Sequence, residues 1–444
     1  MAANALSSSR ECHDCGLIQQ LPTLPDGMGA ACARCGAELE RSDRYSLNLA
    51  RSCAVIASLS FMGALALPFV RLEVLGRVST SNLLDCPRLL AAKGVPALAA
   101  VVLVTLVLMP SVKLVVQLAI LFGALLPQPP RQLAWWFAWL DKITPWSMIE
   151  VFLLGTFVAY TRLREMAHVV IGPSIIALGG TMLAMVVIDA TLDHEALWRA
   201  LDRNAARRTS SDREALPYET NATSATEASD AAEGDVLGCD ACRQVSRAAV
   251  GDPCDRCGHP LVRRKPQTVP RVWALVIASA LLYIPANVLP VMSVVRLGRG
   301  GPTTILNGVE ELFEAKLWPL AVLVLLASVV IPMFKLASLI YMLVSIQTHS
   351  ARALRGRTKL FRVVHAIGRW SMLDIFMLAT LVGVVQLGMI STVTPGLGAG
   401  AFCAVVILTM IATEMFDPRV MWDVAEQTGD GSLAQAAHAA QETG

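Results

Sequence analysis

The sequence has little charge and lacks the motifs that mark common enzymes. Only 16% of its 444 residues are charged, whereas soluble domains carry about 25%. It contains no GxxxxGKS or GxxxxGKT loop, which excludes ATP hydrolysis by a P-loop, and it contains neither HExxH nor GxSxG. The seven histidines form no cluster, and a net charge of +2 favours no nucleic-acid partner. We therefore expect a protein that is not an enzyme.

Apolar sequence dominates instead. Hydrophobic residues make up 55% of the chain, and the mean hydropathy is +0.55. A run of about 18 largely apolar residues suffices to cross a bilayer. The predicted spans are 52–70, 96–126, 145–162, 171–191, 272–292, 317–346, 369–390 and 396–416. The first run begins only after Arg51, so no secretory signal is expected. These features predict an all-α polytopic membrane protein.

Eight of the eleven cysteines form four CxxC pairs, two before each group of four spans. Four thiolates from two CxxC turns make a tetrahedral zinc site, and a glycine after the second cysteine lets the turn bend back. A redox pair is the alternative for a lone CxxC, but four pairs at this spacing favour two structural zinc ions. The predicted ligands are Cys12, Cys15, Cys32, Cys35, Cys239, Cys242, Cys254 and Cys257.

The second half of the chain repeats the first. The matching lines are PWSMIEVFLLGT at 145–156 with RWSMLDIFMLAT at 369–380, and MPSVKL at 109–114 with IPMFKL at 331–336. The offset from Lys113 to Lys335 is nearly the same as that from Trp146 to Trp370. A nearly constant offset indicates internal duplication. Because each copy has four spans, the two copies share one membrane orientation and form parallel tandem repeats.

The predicted domains follow from this duplication. They are zinc ribbon one at 10–40, transmembrane bundle one at 45–202, a disordered linker at 203–236, zinc ribbon two at 237–265, transmembrane bundle two at 268–424 and a polar tail at 425–444. The connection between the sixth and seventh spans carries six lysines and arginines and no acid. Such loops stay in the cytoplasm. Both termini and both ribbons are therefore expected on the cytoplasmic side.

The ionisable side chains inside predicted spans include Lys113, Glu150, Lys335 and Asp374. Each costs about 2.5–3.5 kcal/mol at the bilayer centre and normally faces a partner or a water-filled cavity. A Lys335–Asp374 pair is feasible from their depths in neighbouring spans. Two interpretations are open. In the first, the charges form a structural ion pair or the lysine extends to the membrane interface. In the second, they line a polar cavity that binds headgroups or relays protons.

The second copy has the fuller set of polar residues, including Ser328, Ser371 and Thr409. Its YIPANVLP segment also places Asn287 between two prolines. Proline removes an amide donor and bends a helix. A hinge or cavity lining and a static kink are equally compatible with this segment.

The paired CxxC heads, each before four spans, together with YIPANVLP, TILNGV, VIPMFKL and RWSMLDIF, resemble the paraquat-inducible protein A family. This family includes the lipophilic envelope-spanning tunnel A proteins of Gram-negative bacteria. The resemblance covers nearly the whole chain outside the linker and the tail. It implies a bacterial inner-membrane protein that moves phospholipids between membranes with a periplasm-spanning MCE-domain partner, and it implies zinc on the ribbons.

The resemblance also implies a polar cavity in the second bundle. Carried over by position, this transport cavity comprises Ser328, Lys335, Ser371, Asp374 and Thr409. The first copy has FMGALALP where the second has the YIPAN segment. The secondary candidates are Lys113, Glu150, Asp189 and Asn287.

Three functions remain open at this point. We favour loading or unloading of lipids to the tunnel partner, driven by the proton gradient or by lipid flow because no ATP site is present. A scaffold that only anchors the partner would tolerate charge-neutral replacement of the membrane charges. An autonomous proton-coupled exporter of toxic small molecules would work without the partner.

Overall fold

A computed structural model describes residues 9–21, 25, 27–41, 47–74, 77–126, 130, 132–164, 168–192, 194, 197, 198, 201, 236–296, 299–385 and 391–427. Nearly all of the predicted linker at 203–236 and most of the predicted tail at 425–444 lie outside these residues.

Eight helical segments within the described ranges are long and apolar enough to cross a membrane, which confirms the predicted number. We call them spans one to eight. They run Leu47–Ala66, Pro96–Gly123, Gln132–Arg164, Pro173–Thr191, Thr268–Val288, Trp318–Gln347, Leu354–Val384 and Leu397–Met415. Spans three and seven begin earlier than predicted, because each starts with a further helix followed by a short 3-10 turn.

The described helices, in chain order, are α1 (Leu47–Ala66), α2 (Asp85–Ala92), α3 (Pro96–Leu103), α4 (Met109–Gly123), α5 (Gln132–Ile143), α6 (Ile149–Arg164), α7 (Pro173–Thr191), α8 (Thr268–Val288), α9 (Ile305–Glu314), α10 (Trp318–Leu325), α11 (Ile331–Gln347), α12 (Leu354–Ile367), α13 (Leu373–Val384), α14 (Leu397–Met415) and α15 (Arg419–Gln427). The described strands are β1 (Ser9–Glu11), β2 (Ile18–Gln20), β3 (Gly29–Ala31), β4 (Glu38–Arg41), β5 (Pro68–Val74), β6 (Arg77–Asn82), β7 (His168–Ile171), β8 (Val236–Gly238), β9 (Val245–Arg247), β10 (Met292–Arg296), β11 (Arg299–Thr303) and β12 (Ser391–Pro395).

Spans two and six each contain a short π-helical segment just before a proline. Val104–Leu108 joins α3 to α4, and Leu326–Val330 joins α10 to α11. Proline has no amide donor, and its ring collides with the carbonyl one turn earlier. The wider π turn accommodates both effects. The order of strand hairpin, short helix and π-broken span is therefore the same in the two halves.

Each half also forms a three-stranded antiparallel sheet at one end of its spans. The strand orders are β6-β5-β7 and β11-β10-β12. The strand after the first span of each half pairs with its own hairpin partner and with the strand that follows the third span. We call this end of the molecule the sheet side.

The chain can turn tightly from strand to span because a glycine stands at the junction. The Gly172 amide donates to the Phe69 carbonyl at 3.0 Å, and the Gly396 amide donates to the Val291 carbonyl at 2.8 Å. A Cβ atom at Gly172 would overlap the Pro68 carbonyl oxygen, and one at Gly396 would overlap the Pro290 carbonyl oxygen. The two glycines occupy equivalent positions in the two halves.

Spans three and seven bring the two halves together at the centre of the molecule. Helix α6 packs along α13, and every residue of α13 is buried. The rings of Phe152 and Phe376 meet edge to face with their centroids 5.6 Å apart. These residues are equivalent, because each occupies the same place in its copy of the PWSMIEVFLLGT line. Equivalent positions of the line that is written twice therefore meet in this contact.

Candidate functional site

Eight cysteine side chains gather in two buried groups of four. Within each group, the Sγ atoms all lie within 4.8 Å of one another. In every CxxC turn, the amide after the second cysteine donates to the carbonyl of the first, at 2.7–2.9 Å. This residue is a glycine in three turns, with φ between 69° and 73°, and Arg243 with φ of 60° in the fourth. The glycine role is thus confirmed in three turns, and the fourth adopts the same left-handed conformation without one.

The sulfur geometry fits a metal ion and excludes disulfides. The Sγ atoms of Cys12 and Cys35 are 3.6 Å apart, and those of Cys239 and Cys257 are 3.5 Å apart. A disulfide needs about 2.05 Å. A tetrahedron with metal–sulfur bonds of about 2.3 Å has sulfur–sulfur edges of about 3.8 Å. Each group could therefore hold one metal ion, and four thiolates form a donor set that suits zinc.

Each ribbon packs against the bundle of the other half. We call residues 9–41 ribbon one and residues 236–265 ribbon two. The cysteines of ribbon one pack against Trp422, and the Arg34 guanidinium lies 4.3 Å from the centre of that ring. In ribbon two, Arg256 lies 5.0 Å from the ring of Trp198. Both arginines are the third residue of a CxxC turn, and the tryptophans occupy equivalent positions in the two copies. Each ribbon therefore contacts a tryptophan of the other half through an equivalent arginine.

Polar contacts at the starts of spans three and seven follow the same crossed pattern. On ribbon one, the Arg34 carbonyl accepts a hydrogen bond from Arg355 of span seven at 2.7 Å, and Asp14 pairs with Arg362 of the same span. On ribbon two, His259 lies 3.1 Å from Lys142 of span three. Each ribbon therefore has two kinds of contact with the other half: an arginine–tryptophan contact and a polar contact with span three or span seven.

A cluster of charges around the buried Arg419 side chain joins both ribbons to the end of span eight. Arg419 contacts Glu11 of ribbon one at 3.2 Å, Asp240 of ribbon two at 2.8 Å and Asp417 at 3.0 Å. Burial alone would raise the pKa of Asp417, but the hydrogen bonds and charge of Arg419 hold this pKa below its ordinary value. Asp417 therefore stays charged at neutral pH.

A cavity of about 640 Å³ lies between the ribbons and the spans. Both ribbons and spans of both halves contribute to its wall. Its basic lining residues include Arg10, Arg243, Lys335 and Arg369, and its acidic lining residues include Asp189 and Glu414. This volume is typical of sites that hold a small organic molecule. We call it the ribbon-side cavity.

Lys335 contributes to the wall of the ribbon-side cavity. Its side chain is fully buried, and its Nζ donates a long hydrogen bond of 3.4 Å to the Gly368 carbonyl. Ser371 Oγ donates to the same carbonyl at 2.8 Å. Throughout the described ranges, no carboxylate forms an ion pair with Lys335. The structure thus brings Lys335 and Ser371 together at one backbone oxygen.

The equivalent lysine of the first half does have an acidic partner. Lys113 Nζ donates to Asp189 Oδ2 at 2.7 Å, and Gln117 Nε2 donates to Asp189 Oδ1 at 3.3 Å. Asp189 comes from the end of span four and lines the ribbon-side cavity. The residue equivalent to Asp189 in the second half is Thr413.

Asp374 lies away from Lys335, against a separate cavity of about 30 Å³ next to the sheet and α9. Its carboxyl group interacts with the Arg162 guanidinium and the Ser328 hydroxyl. Ser328 itself donates to the Val324 carbonyl at 2.6 Å, and Asp374 Oδ1 has no hydrogen-bond partner among the described residues. The lysine and the acid of the second bundle therefore occupy different cavities, and the feasible Lys335–Asp374 pair does not form.

Two further predicted residues make contacts elsewhere. Thr409 is buried in span eight and donates to the Val406 carbonyl at 2.9 Å. Glu150 pairs with Arg369 at 3.4 Å, which joins the 3-10 region of span seven to the start of α6. Neither contact includes Lys335 or Asp374.

Asn287 binds within its own helix. Its Nδ2 donates to the Tyr283 carbonyl at 2.8 Å, beside Pro285, which lies inside α8. The Asn287 side chain therefore adds a hydrogen bond to the part of the helix where Pro285 lacks an amide donor. The Tyr283 hydroxyl reaches the Val329 carbonyl of the π segment at 3.4 Å, so this part of the helix also contacts span six.

An apolar pocket of about 150 Å³ opens beside the central pair of spans, towards the sheet of the first half. Leu153, Phe157 and Ile175 contribute to its wall, and Thr156 and Thr380 line it between α6 and α13. Pockets with this lining bind hydrocarbon groups.

Sequence reasoning misses two residues of these sites. The sequence places Arg162 at the end of a span, whereas in the structure its guanidinium is buried and donates to the Gly308 carbonyl at 3.0 Å. Thr413 carries no charge and attracts no notice alone. Alignment of the two copies places it opposite Asp189, and that alignment is the signal that could have found it.

Eight apolar spans with buried ionisable side chains define a multi-pass membrane protein. The family described as Paraquat-inducible protein A matches residues 49–202 and again residues 269–426, and the chain belongs to this family. The predicted resemblance is confirmed.

Relatives of known name cover nearly the whole chain. The chain is 29% identical over 414 residues to Intermembrane transport protein PqiA of Escherichia coli K12, covering 93% of this chain and 95% of the relative. It is 27% identical over 420 residues to Lipophilic envelope-spanning tunnel protein A of the same strain, with coverages of 94% and 92%. It is 25% identical over 425 residues to a Probable intermembrane transport protein of Haemophilus influenzae, with coverages of 94% and 96%. No solved structure gives a significant match.

Proposed function

We propose that this chain is the inner-membrane component of an intermembrane lipid transport system, which loads or unloads phospholipids to a periplasm-spanning MCE-domain tunnel partner. The names of its relatives, which refer to intermembrane transport and to an envelope-spanning tunnel, support this role. The observation that carries it is the burial of Lys335 and Asp374 inside the spans, each against a cavity. Ionisable side chains are retained in a membrane mainly where they serve a substrate or ion path.

In this proposal the chain consists of two tandem parallel repeats, each a zinc ribbon followed by a four-span bundle. The double match of one family and the common element order support the duplication. The arginine-rich connection that leads into span seven supports cytoplasmic ribbons and termini. The ribbon-side cavity then faces the cytoplasm, and the sheets and the Asp374 cavity face the periplasm. Zinc on the four-cysteine groups has a structural role, because each group supplies four buried protein ligands.

In this proposal, the cavities have different roles in transport. The ribbon-side cavity has polar walls that suit a headgroup, and the pocket beside the central spans suits part of an acyl chain. Asp374, which has one carboxyl oxygen without a partner among the described residues, takes up and releases the proton if transport is coupled to the proton gradient. The chain carries out no covalent chemistry and is not an enzyme in this scheme.

Complementation of an envelope defect tests the proposal. In a strain that lacks this gene, we expect Lys335→Ala and Asp374→Asn to abolish rescue while their membrane levels stay normal. Ser345→Ala is the matched control, because Ser345 is buried in the same span as Lys335 and bonds only locally, to the Met342 carbonyl. Full rescue by both charge variants would contradict the transport role of the cavities.

A membrane scaffold that anchors the tunnel partner is the second candidate. The cluster of charges around Arg419, which holds both ribbons in one arrangement, favours it. A scaffold predicts that Lys335→Met and Asp374→Leu still support assembly of the partner and rescue the strain. An autonomous exporter of toxic molecules is distinguished by deletion of the partner gene, which such an exporter would survive.

A further inference from the structure

One buried lysine distinguishes the two halves of the molecule. Lys113 and Lys335 are equivalent, each three residues beyond the proline that follows a π segment. Lys113 has the carboxylate of Asp189 at 2.7 Å. Lys335 has the Gly368 carbonyl at 3.4 Å and no acid among the described residues. The first half is therefore internally neutralised at this site, and the second half is not.

The missing acid of the second half is replaced by a residue that cannot serve as a counter-ion. Thr413, at the position equivalent to Asp189, donates its hydroxyl proton to the Thr409 carbonyl at 2.8 Å. Thr413 and Lys335 both line the ribbon-side cavity. The place that a carboxylate fills in the first half therefore opens onto this cavity in the second.

Burial without an anion disfavours the charged form of a lysine side chain, because no opposite charge compensates for the lost contact with water. A single carbonyl at 3.4 Å is a weak partner. An anion that comes from outside the chain would supply the missing interaction.

We propose that Lys335 is an anion subsite that receives the phosphate group of a phospholipid, in the position that the Asp189 carboxylate occupies in the first half. This inference rests on the proposed lipid transport, and it names the chemical group that the cavity recognises. Free phosphate has the same chemistry, so the test below separates the two sources.

The rest of the cavity fits a headgroup better than a lone ion. Its volume of about 640 Å³ exceeds that of a phosphate, and its wall includes apolar Met410 beside the acidic Glu414. The cavity extends from the ends of spans four and eight, at Asp189 and Glu414, to Lys335 within span six. Two neighbouring basic residues have partners of their own, since Arg369 pairs with Glu150 and His365 contacts Glu414 at 3.6 Å. The acidic lining residues also include Glu38, Glu40 and Asp141.

Gly368 lies beside the end of the Lys335 side chain. A Cβ atom at this position would lie 3.5 Å from Lys335 Nζ. Because the lysine is fully buried, binding includes a small local widening beside Gly368. A side chain at this position would hinder that widening.

Titration of the purified full-length chain in a neutral detergent tests the proposal. The ligands are dihexanoyl phosphatidate, dihexanoyl phosphatidylethanolamine, inorganic phosphate and dihexanoylglycerol, which has the same acyl chains and no phosphate. Binding is measured by isothermal titration calorimetry. We expect the two phosphate lipids to bind and dihexanoylglycerol to bind at least about tenfold more weakly.

Two variants test the role of the lysine separately. Thr413→Asp supplies an internal counter-ion like that of the first half, and Lys335→Met removes the charge. Each should weaken binding of the phosphate lipids by about tenfold or more. Thr413→Asn is the matched control for Thr413→Asp, because asparagine has nearly the same shape as aspartate and no charge. It should therefore weaken binding of the phosphate lipids less than Thr413→Asp does.

The outcomes are distinct. Inorganic phosphate that competes as strongly as the lipids supports the anion subsite and identifies free phosphate as its occupant. Equal binding of dihexanoylglycerol and phosphatidate overturns the proposal, and so does unchanged binding by both Thr413→Asp and Lys335→Met. This assay requires neither the partner nor a proton gradient. The subsite can therefore fail while genetic rescue still supports transport, and it can succeed while rescue fails.

Discussion

The Oγ1 atoms of Thr156 and Thr380 lie 3.4 Å apart in the buried contact between spans three and seven. Each threonine ends one copy of the line that is written twice in the sequence. Spans three and seven thus contact each other at equivalent positions of this repeated line.

This contact depends on a glycine. A Cβ atom at Gly155 would lie 3.0 Å from Phe376 Cβ and 3.1 Å from the Leu373 carbonyl. We expect Gly155→Val to lower the free energy of unfolding by about 1–3 kcal/mol, because it overpacks the centre. The readout is the thermal unfolding midpoint of the purified protein. Gly179→Val in span four is the control, since no described atom outside its own helix lies within 4 Å of a Cβ at that position, and equal effects of the two variants would contradict the central contact.

Metal content gives a second prediction. Each of the two four-cysteine groups should bind one zinc ion, so the purified chain should contain two ions by elemental analysis. Cys32→Ser with Cys35→Ser should remove one of them. Cys53→Ser with Cys403→Ser should remove none, because these cysteines lie outside both groups. Loss of both ions from the first variant would show that the sites are not independent.

Crosslinking can test the crossed ribbons. Arg34 of ribbon one contacts Glu426 of α15, whereas Lys142 of span three contacts ribbon two. A short bifunctional thiol reagent should join Arg34→Cys to Glu426→Cys within one chain, as a mobility shift on gels. The pair Arg34→Cys and Lys142→Cys should stay unlinked. The opposite pattern would mean that each ribbon sits on the bundle of its own half.

The Lys113–Asp189 pair predicts a non-additive pair of substitutions. Asp189→Thr copies the second half and leaves Lys113 buried without its acid. We expect a loss of about 1–3 kcal/mol, less than the roughly 3–5 kcal/mol of fully buried pairs, because the Asp189 side chain is 45% exposed. Adding Lys113→Met should restore most of the thermal stability. Additive losses in the double variant would show that the ion pair contributes nothing.

The number and positions of the spans could be predicted because a long apolar run is a strong local signal. The end of span one is less predictable. The apolar residues continue through Leu67 into β5, so the predicted run ends at residue 70, whereas the helix ends at Ala66. Strand β5 pairs with β7, which lies beyond two further spans in the chain. Such pairing leaves almost no local pattern in the sequence.

The partners of the membrane charges are harder to predict than the charges themselves. Spacing along neighbouring spans makes Lys335 and Asp374 a feasible pair, but helix packing directs them to different cavities. In the first half, the acid that meets the lysine comes from span four rather than span three. Which faces of two helices meet depends on the whole bundle, and a single sequence does not encode this locally.

The crossed ribbons also determine the order in which this protein can mature. Arg34 finds its partner Glu426 only after 392 further residues have left the ribosome. The first ribbon can bind its metal early. The helix that it packs against, α15, is the last of the described elements to be synthesised. A premature stop codon near the C-terminus would thus leave a folded ribbon one without its contact with α15. Proteases that degrade incomplete membrane proteins would then have access to this ribbon.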